Sequence, residues 1–283
     1  MAIKIVTDST SDLPQALADE LGIKIVPLYV QFGNETYRDR VDISDTEFYE
    51  RLTNSSVHPT TSQPTPQDFA DVYREVSKDA DGIISIHIST KLSGTCNSAL
   101  QGKKLAAIKC PIEVIDSEMV SMGLGLIAIG AATIISSDDN FKQVIEKTKQ
   151  LIPNTHVWAL FDTLKYLAMG GRIGKSKAFL GSILNIKPIL SVKDGEMMPA
   201  IQARSRDKGI ALLKSFTRKF TTIEDLAVMY TTTPDEAQNL ADNMGTIFEH
   251  GRIKIARLGP ALGVHAGPGA LAVGIRGVYN INE

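Results

Sequence analysis

The chain has 283 residues, 43% of them hydrophobic and 22% charged, with a formal net charge of -2. That length allows one large domain or two ordinary ones of globular composition. The near-neutral balance and the 6% aromatic content argue against a nucleic-acid surface built on basic fields and stacking rings. The longest apolar run, Met119 to Ile135, is broken by Ser121, Thr133 and glycines and falls short of a membrane span of about 20 residues. The start, Met1-Ala2-Ile3-Lys4-Ile5-Val6, enters a strand at once and lacks signal-peptide features. Cys96 and Cys110 have no metal-type spacing, so no disulfide framework is expected and the cytoplasm is the default compartment.

Ile3 to Val6 reads as a strand, and Thr7-Asp8-Ser9-Thr10-Ser11-Asp12 as a polar turn after it. Pro14 to Leu21 reads as a helix closed by Gly22, and Lys24 to Phe32 as a second strand. This βαβ beginning predicts a parallel sheet covered by helices. Gly33-Asn34-Glu35 is a hairpin-like turn before a short extension, Thr36 to Val41. Ser44-Asp45-Thr46-Glu47 has the form of a capping box opening a helix to about Leu52. Thr60 to Pro66 reads as a loop pinned by two prolines, and Pro66 opens a helix to about Lys78.

Ile83 to Ile88 reads as a buried strand, followed by Leu92-Ser93-Gly94-Thr95-Cys96-Asn97-Ser98 and a helix, Ala99 to Ile108. Hydroxyls and backbone N–H groups thus gather at a strand-to-helix turn. Gly94 lets a ligand approach the backbone, and the helix dipole favours an anion. The alternative is a helix cap with nothing bound. Ile112 to Ile115 is a strand ended by Asp116-Ser117. Glu118 to Ser136 reads as a helix buried on all sides, and Asn140 to Leu151 as an amphipathic one. Gly123, Gly125, Ala128, Gly130, Ala131 and Ala132 give that apolar helix a small-residue surface. Such a surface leaves room for a ligand beside it, or serves close packing on a sheet.

Pro153-Asn154 is the best domain boundary. Beyond it, Val157 to Phe161 reads as a strand, with helices over Asp162 to Met169 and Ser176 to Leu184. Ile186 to Val192 and Met197 to Arg204, about Asp194-Gly195, read as a hairpin. A helix over Asp207 to Phe220, a strand over Leu226 to Tyr230 and a helix over Pro234 to Phe248 follow. Strands over Ile253 to Arg257 and Ala270 to Arg276 complete the chain.

Thr7-Asp8-Ser9, Thr60-Thr61-Ser62-Gln63, Ser93-Gly94-Thr95 and Asp116-Ser117 are polar clusters at strand ends or loops. Ligands bind beyond the carboxyl ends of strands in open parallel sheets. Hydroxyls with few charges suit a carboxyl group better than a nucleotide. No G-x-S-x-G elbow, phosphate loop or strand-linked G-x-G-x-x-G occurs. Gly170-Gly171-Arg172-Ile173-Gly174 is a tight turn exposing Arg172, either for a ligand or as a solvated basic loop. Arg204 and Arg206, two apart on a strand, share a face and could grip a carboxylate or pair with surface acids. His265 lies among small residues before Pro268-Gly269, with room for its ring to reach a ligand. The other histidines share no metal-like spacing with it.

The ordered set is specific where each motif alone is weak. Thr7-Asp8-Ser9-Thr10, Thr61-Ser62-Gln63-Pro64, Leu92-Ser93-Gly94-Thr95, Tyr166-Leu167 through Gly170-Gly171-Arg172-Ile173, Lys187-Pro188, Arg204-Ser205-Arg206 and His265-Ala266-Gly267-Pro268-Gly269 resemble the DegV family. These are lipid-binding proteins of bacteria that include the fatty-acid-binding subunits of fatty acid kinase. The resemblance implies two α/β domains. Residues 1–154 would form a three-layer domain with a parallel sheet and a lipid pocket. Residues 155–283 would form a two-layer domain with a mixed sheet that completes the carboxyl-group site.

It further implies a long-chain fatty acid as ligand, no cofactor, and no catalytic centre of the chain's own. A separate ATP-dependent kinase would convert the presented carboxyl group to an acyl-phosphate for phospholipid synthesis, with transient membrane contact. Carried over by position, Ser93 and Thr61 resemble the carboxyl-binding hydroxyls, with Ser62 and Gly94 beside them and His265 orienting Thr61 or the carboxyl group. Arg172 and Arg204 resemble the charges at the pocket mouth or the partner-docking face. Cys96 departs from the aromatic residue that many relatives are expected to carry. Two other readings stand beside this one. The first is an acyl hydrolase or transferase using Ser93, with His265 approaching in space. The second is a phosphotransferase, since the fold resembles part of the dihydroxyacetone kinases; the missing nucleotide loop and acidic metal cluster count against it.

Overall fold

The computed structural model describes residues 2–135, 140–179, 186–245, 248 and 253–280. The first strand, β1 (Ile3–Asp8), ends in a single 3-10 turn, Ser9–Ser11. Helix α1 (Gln15–Glu20) returns the chain to β2 (Ile23–Val26), which runs parallel to β1. The single long strand expected over Lys24 to Phe32 is therefore two. Pro27 lacks an N–H for a ladder, and Leu28 donates its own to Ser9 Oγ at 3.0 Å. The chain leaves the first sheet there and starts another.

That second sheet is small and antiparallel. It holds β3 (Tyr29–Phe32) between β4 (Glu35–Arg38) and β5 (Thr60–Ser62). The proline-pinned loop expected around Thr61 is thus partly a strand, with Thr61 paired to Val30. Between β4 and β5 lies α2 (Asp45–Asn54), capped by Ser44. Helix α3 (Pro66–Val76) opens on a reciprocal capping box between Thr65 and Asp68.

The parallel sheet is completed by β6 (Gly82–His87) and β7 (Ile112–Asp116), joined by α4 (Thr95–Ala106); its order is β2-β1-β6-β7. Every residue of β6 is buried, as befits a central strand covered on both faces. Phe69 and Tyr73 of α3 pack on one face with Ala99 of α4. The other face meets α5 (Met122–Thr133), after which come α6 (Phe141–Leu151) and β8 (Thr155–Leu160).

The remaining strands belong to a six-stranded mixed sheet. Helix α7 (Lys165–Met169) and a 3-10 segment, Gly174–Phe179, precede the hairpin of β9 (Lys187–Lys193) and β10 (Glu196–Ala203). The expected helix over Ser176 to Leu184 extends outside the described residues. Helix α8 (Arg206–Phe216) leads to β11 (Phe220–Tyr230), and α9 (Pro234–Met244) to β12 (Ile253–Arg257). Helix α10 (Pro260–Ala266) precedes the last strand, β13 (Leu271–Tyr279). The order is β10-β9-β8-β13-β11-β12, antiparallel except for the last pair. Phe216 of α8 and Leu240 of α9 cover one face of this sheet.

Its opposite face packs on α5. Residues Met122 to Ala131 are all buried, because the helix lies between the parallel and the mixed sheet and has no solvent side. Its glycines serve that packing and leave no room for a ligand. A Cβ on Gly123 would stand 2.7 Å from Val157 Cγ2, and one on Gly125 would stand 2.7 Å from the Ser11 carbonyl oxygen. Close approach to both sheets is what requires glycine here.

Candidate functional site

A cavity of about 990 Å³, its open mouth included, lies where the mixed sheet faces the carboxyl ends of the parallel sheet. Its floor is one face of the mixed sheet. Leu190, Ala159, Ala272 and Met229 are paired across β9, β8, β13 and β11, and all four line it. Interior strand positions usually carry branched or aromatic residues; two neighbouring alanines leave the depth empty. The space expected beside α5 is therefore supplied by small residues of the sheet. The period-2 pattern of Val157, Ala159 and Phe161 marks this face in the sequence.

The polar groups converge at one place in the wall. Thr61, on β5, points its hydroxyl at His265 of α10, with Oγ1 and Nε2 2.9 Å apart. His265 was expected in a loop with a free ring. It sits instead near the end of a helix, packed so closely on Gly170 that a Cβ there would stand 2.0 Å from Nδ1. Burial, with help from the Arg172 and His58 charges, pushes its pKa down to about 4, so the ring is neutral near pH 7. Nδ1 is buried without a hydrogen-bond partner. A buried N–H without an acceptor costs more than a bare ring nitrogen, so the proton belongs on Nε2. Nε2–H donates to Thr61 Oγ1, and the Thr61 hydroxyl hydrogen is left to point into the cavity.

Ser93 stands beside this pair, in the turn between β6 and α4. Its hydroxyl lies 2.8 Å from that of Thr95. Thr95 is fully buried, and its hydroxyl hydrogen has Ser93 as its acceptor. Donation from Thr95 leaves the Ser93 hydrogen free for a ligand. Gly94 caps α4 with φ -78°, an ordinary value, so no left-handed backbone demands glycine. The reason for it is Gln63, whose amide nitrogen would lie 3.0 Å from a Cβ. Gly94 itself is exposed and outside the cavity wall, while Gln63 lines it.

Arg172 closes the group. Gly171, with φ +71°, turns the chain, and the guanidinium donates to the Gly170 carbonyl at 2.7 Å and to the Leu92 carbonyl at 3.2 Å. It is exposed and borders the cavity. Thr61, Ser62, Ser93, Arg172 and His265 thus line one cavity. Arg204 does not. It is exposed, with no hydrogen bond or ion pair among the described residues, between the end of β10 and Ser205, which caps α8. The shared strand face expected for Arg204 and Arg206 is not formed for that reason. Arg206 begins the helix and binds Glu236 and the Gly269 carbonyl.

The other polar clusters have local duties. Asp116 accepts from the Glu118 N–H and Thr90, and none of Thr7, Asp8 and Ser9 lines the cavity, although the adjoining Thr10 does. Asp8 instead heads a buried chain. It pairs with His87 Nδ1 at 2.9 Å, His87 Nε2 meets Ser85 Oγ at 2.7 Å, and Ser85 meets the Tyr73 hydroxyl at 2.8 Å. The order Asp-His-Ser resembles a hydrolase triad, but Ser85 is fully buried and outside the cavity wall. It satisfies polar groups inside the parallel sheet. Among the described residues, no group of three or more His, Cys, Asp or Glu side chains is placed to hold a metal, and no helix is long and apolar enough to cross a membrane.

The family model described as "Uncharacterised protein, DegV family" matches residues 2–277. The chain belongs to the DegV family. A DegV domain-containing protein of Deinococcus radiodurans is 35% identical over 281 residues, which is 97% of this chain and 98% of that one. Among solved structures, a fatty-acid-binding DegV family protein from Thermus thermophilus superposes with a TM-score of 0.88 at 34% identity, covering 98% of this chain and all of the other. A stearic acid-binding protein from Eubacterium ventriosum gives 0.83 at 28% identity, covering 97% of this chain and 98% of that one. The two-part α/β fold is that of these DegV proteins.

Proposed function

We propose that this DegV chain binds a long-chain fatty acid, buries its tail over the alanine floor, and presents its carboxyl group to a separate ATP-dependent kinase that makes an acyl-phosphate. The observation that carries the reading is a single apolar cavity whose polar groups converge at Thr61, Ser93, His265 and Arg172. Two free hydroxyl hydrogens and a guanidinium suit a carboxylate. Burial of the tail contributes roughly 0.8 kcal/mol per CH₂, so the head group needs only enough hydrogen bonds to set its orientation. The fatty-acid binding of the Thermus protein and the stearic acid binding of the Eubacterium protein support the same ligand class. The acyl-phosphate step gains support from Arg172, an exposed cation at the mouth where a phosphoryl group would arrive.

The hydrolase reading needs a base on Ser93. The hydroxyl of Ser93 meets Thr95, and the histidine meets Thr61, so that pair is not assembled and the carrier reading is favoured. Mass spectrometry of lipid extracted from the purified protein tests the first step. A stoichiometric fatty acid is expected, and a repeatedly empty cavity overturns the reading. Incubation with ATP and fatty acid should yield hydroxylamine-trappable acyl-phosphate only after a kinase is added.

A further inference from the structure

Asp12 is buried where elements of both halves of the chain meet. Its Oδ2 accepts the Ser121 hydroxyl at 2.6 Å, and its Oδ1 accepts the Gly259 N–H at 2.8 Å. Ser121 precedes α5 and Gly259 precedes α10. Both lead into the cavity wall. Ser121 lines it directly, and α10 carries Ala261, Leu262 and His265 to it. Ser121 has φ 54° and ψ -144°, a backbone shape suited to glycine, which persists only when neighbours hold it. The Asp12 carboxyl holds the Ser121 hydroxyl, and the Gly125 N–H holds the Ser121 carbonyl at 3.0 Å. The same carboxyl also borders a second, open cavity, together with Arg40, Asp45 and Arg257.

We infer that Asp12 is a positioning residue of the acyl cavity: it ties the start of α5 to the start of α10, and gaining or losing a proton there changes how tightly the cavity holds its ligand. The inference rests on the fatty-acid reading. The groups facing Asp12 are Ser121 from the α5 start, the Gly259 N–H, Arg40 with Asp39 from the segment after β4, and Tyr49 from α2; Asp45, at the start of α2, bears on it through Arg40. Arg40 is the nearest charge, at 3.6 Å. Burial outweighs its pull and pushes the Asp12 carboxyl up to about 7, so both forms are populated near neutrality. The ionised form holds both donors through charge-assisted bonds. In the neutral form the proton lies toward Ser121. The Ser121 hydroxyl becomes the acceptor, its own hydrogen turns away into the cavity, and the bond to Gly259 weakens. Ligand affinity and Asp12 ionisation are then reciprocally coupled.

Palmitate binding by the full chain, measured from about pH 5.5 to about pH 8.5, tests this. The ratio of wild-type affinity to that of Asp12→Asn should rise on the order of tenfold across the range, with its midpoint near 7. Arg40→Gln should move the wild-type midpoint upward by removing the nearby cation, and Arg40→Lys should leave it in place. Parallel profiles for wild type and Asp12→Asn overturn the inference. Should Asp12→Asn fail to fold, an unmoved midpoint in Arg40→Gln does the same. Absence of palmitate binding by wild type at every pH overturns the fatty-acid reading instead.

Discussion

His265 Nε2 and Thr61 Oγ1 lie 2.9 Å apart, joining residues 204 positions apart in the chain. The bond settles more than a distance. Because Nδ1 is shut against Gly170, the ring donates to Thr61, and Thr61 must spend its own hydrogen elsewhere. Thr61→Val keeps the shape and removes that donor. Fatty-acid affinity is expected to drop roughly tenfold, about 1.4 kcal/mol, and the unfolding temperature to fall as well, because the buried His265 Nε2–H loses its acceptor. Displacement of a fluorescent fatty acid measures it, and an unaltered affinity would remove Thr61 from the head-group site.

The length of the acyl chain should be set by the sheet. Ala159 and Ala272 are directly paired in the floor of the cavity. Ala272→Ile places three further carbons there. The population of co-purified fatty acids is expected to move to shorter chains, because each methylene kept out of the cavity forfeits roughly 0.8 kcal/mol. Lipid extraction and mass spectrometry read the shift; an unchanged profile would mean that the tail takes another path.

Helix α5 answers differently. A side chain on Gly123 meets Val157 and has no cavity to enter. Gly123→Val should cost about 1–3 kcal/mol through overpacking, seen as a lower urea midpoint. Full stability in the variant would show that the helix has slack beside the mixed sheet.

These residues also show what the sequence could and could not disclose. Parallel strands announce themselves as apolar runs, so β1 and β6 and the βαβ start were legible, as was the Asp194-Gly195 hairpin. The all-round apolar character of α5 was legible too, but its cause was not, since a helix between two sheets and one beside a ligand carry the same composition. Short elements held by tertiary contacts escaped. Thr60–Ser62 becomes a strand only because β3 is there to pair with it, and α10 is seven residues with glycine and proline at its start. Thr61, Ser93, Arg172 and His265 were singled out from motifs. Their convergence depends on contacts across most of the chain, and so does the exclusion of Arg204, which a helix cap turns outward. Ala159 and Ala272 gave no chemical signal at all, because what they contribute is missing volume.

Asp39 supplies a test by pH. It is buried, with the Ser9 hydroxyl, Arg40 and the Ala261 N–H as its polar neighbours. Burial pushes its pKa up to about 6, although Ser9, Arg40 and the Ala261 N–H pull the other way. A carboxyl whose folded value lies above its unfolded one binds more protons in the native state. Its stabilising share is therefore complete below about pH 4 and is lost as pH rises through about 6. His265 runs in the opposite sense, since its folded value is depressed and stability tied to it is lost as pH falls from about 6.5 toward 4. A wild-type curve alone mixes these two with Asp12, which is raised to about 7, whereas the difference between wild type and Asp39→Asn cancels the histidine and all of the Asp12 share except its coupling to Asp39. That difference should move by on the order of 2–3 kcal/mol in favour of the variant between about pH 4 and pH 7 and then level off. Urea unfolding at a series of pH values measures it. A difference that stays flat over this range would show that Asp39 is ionised throughout, held by donors that relax toward it.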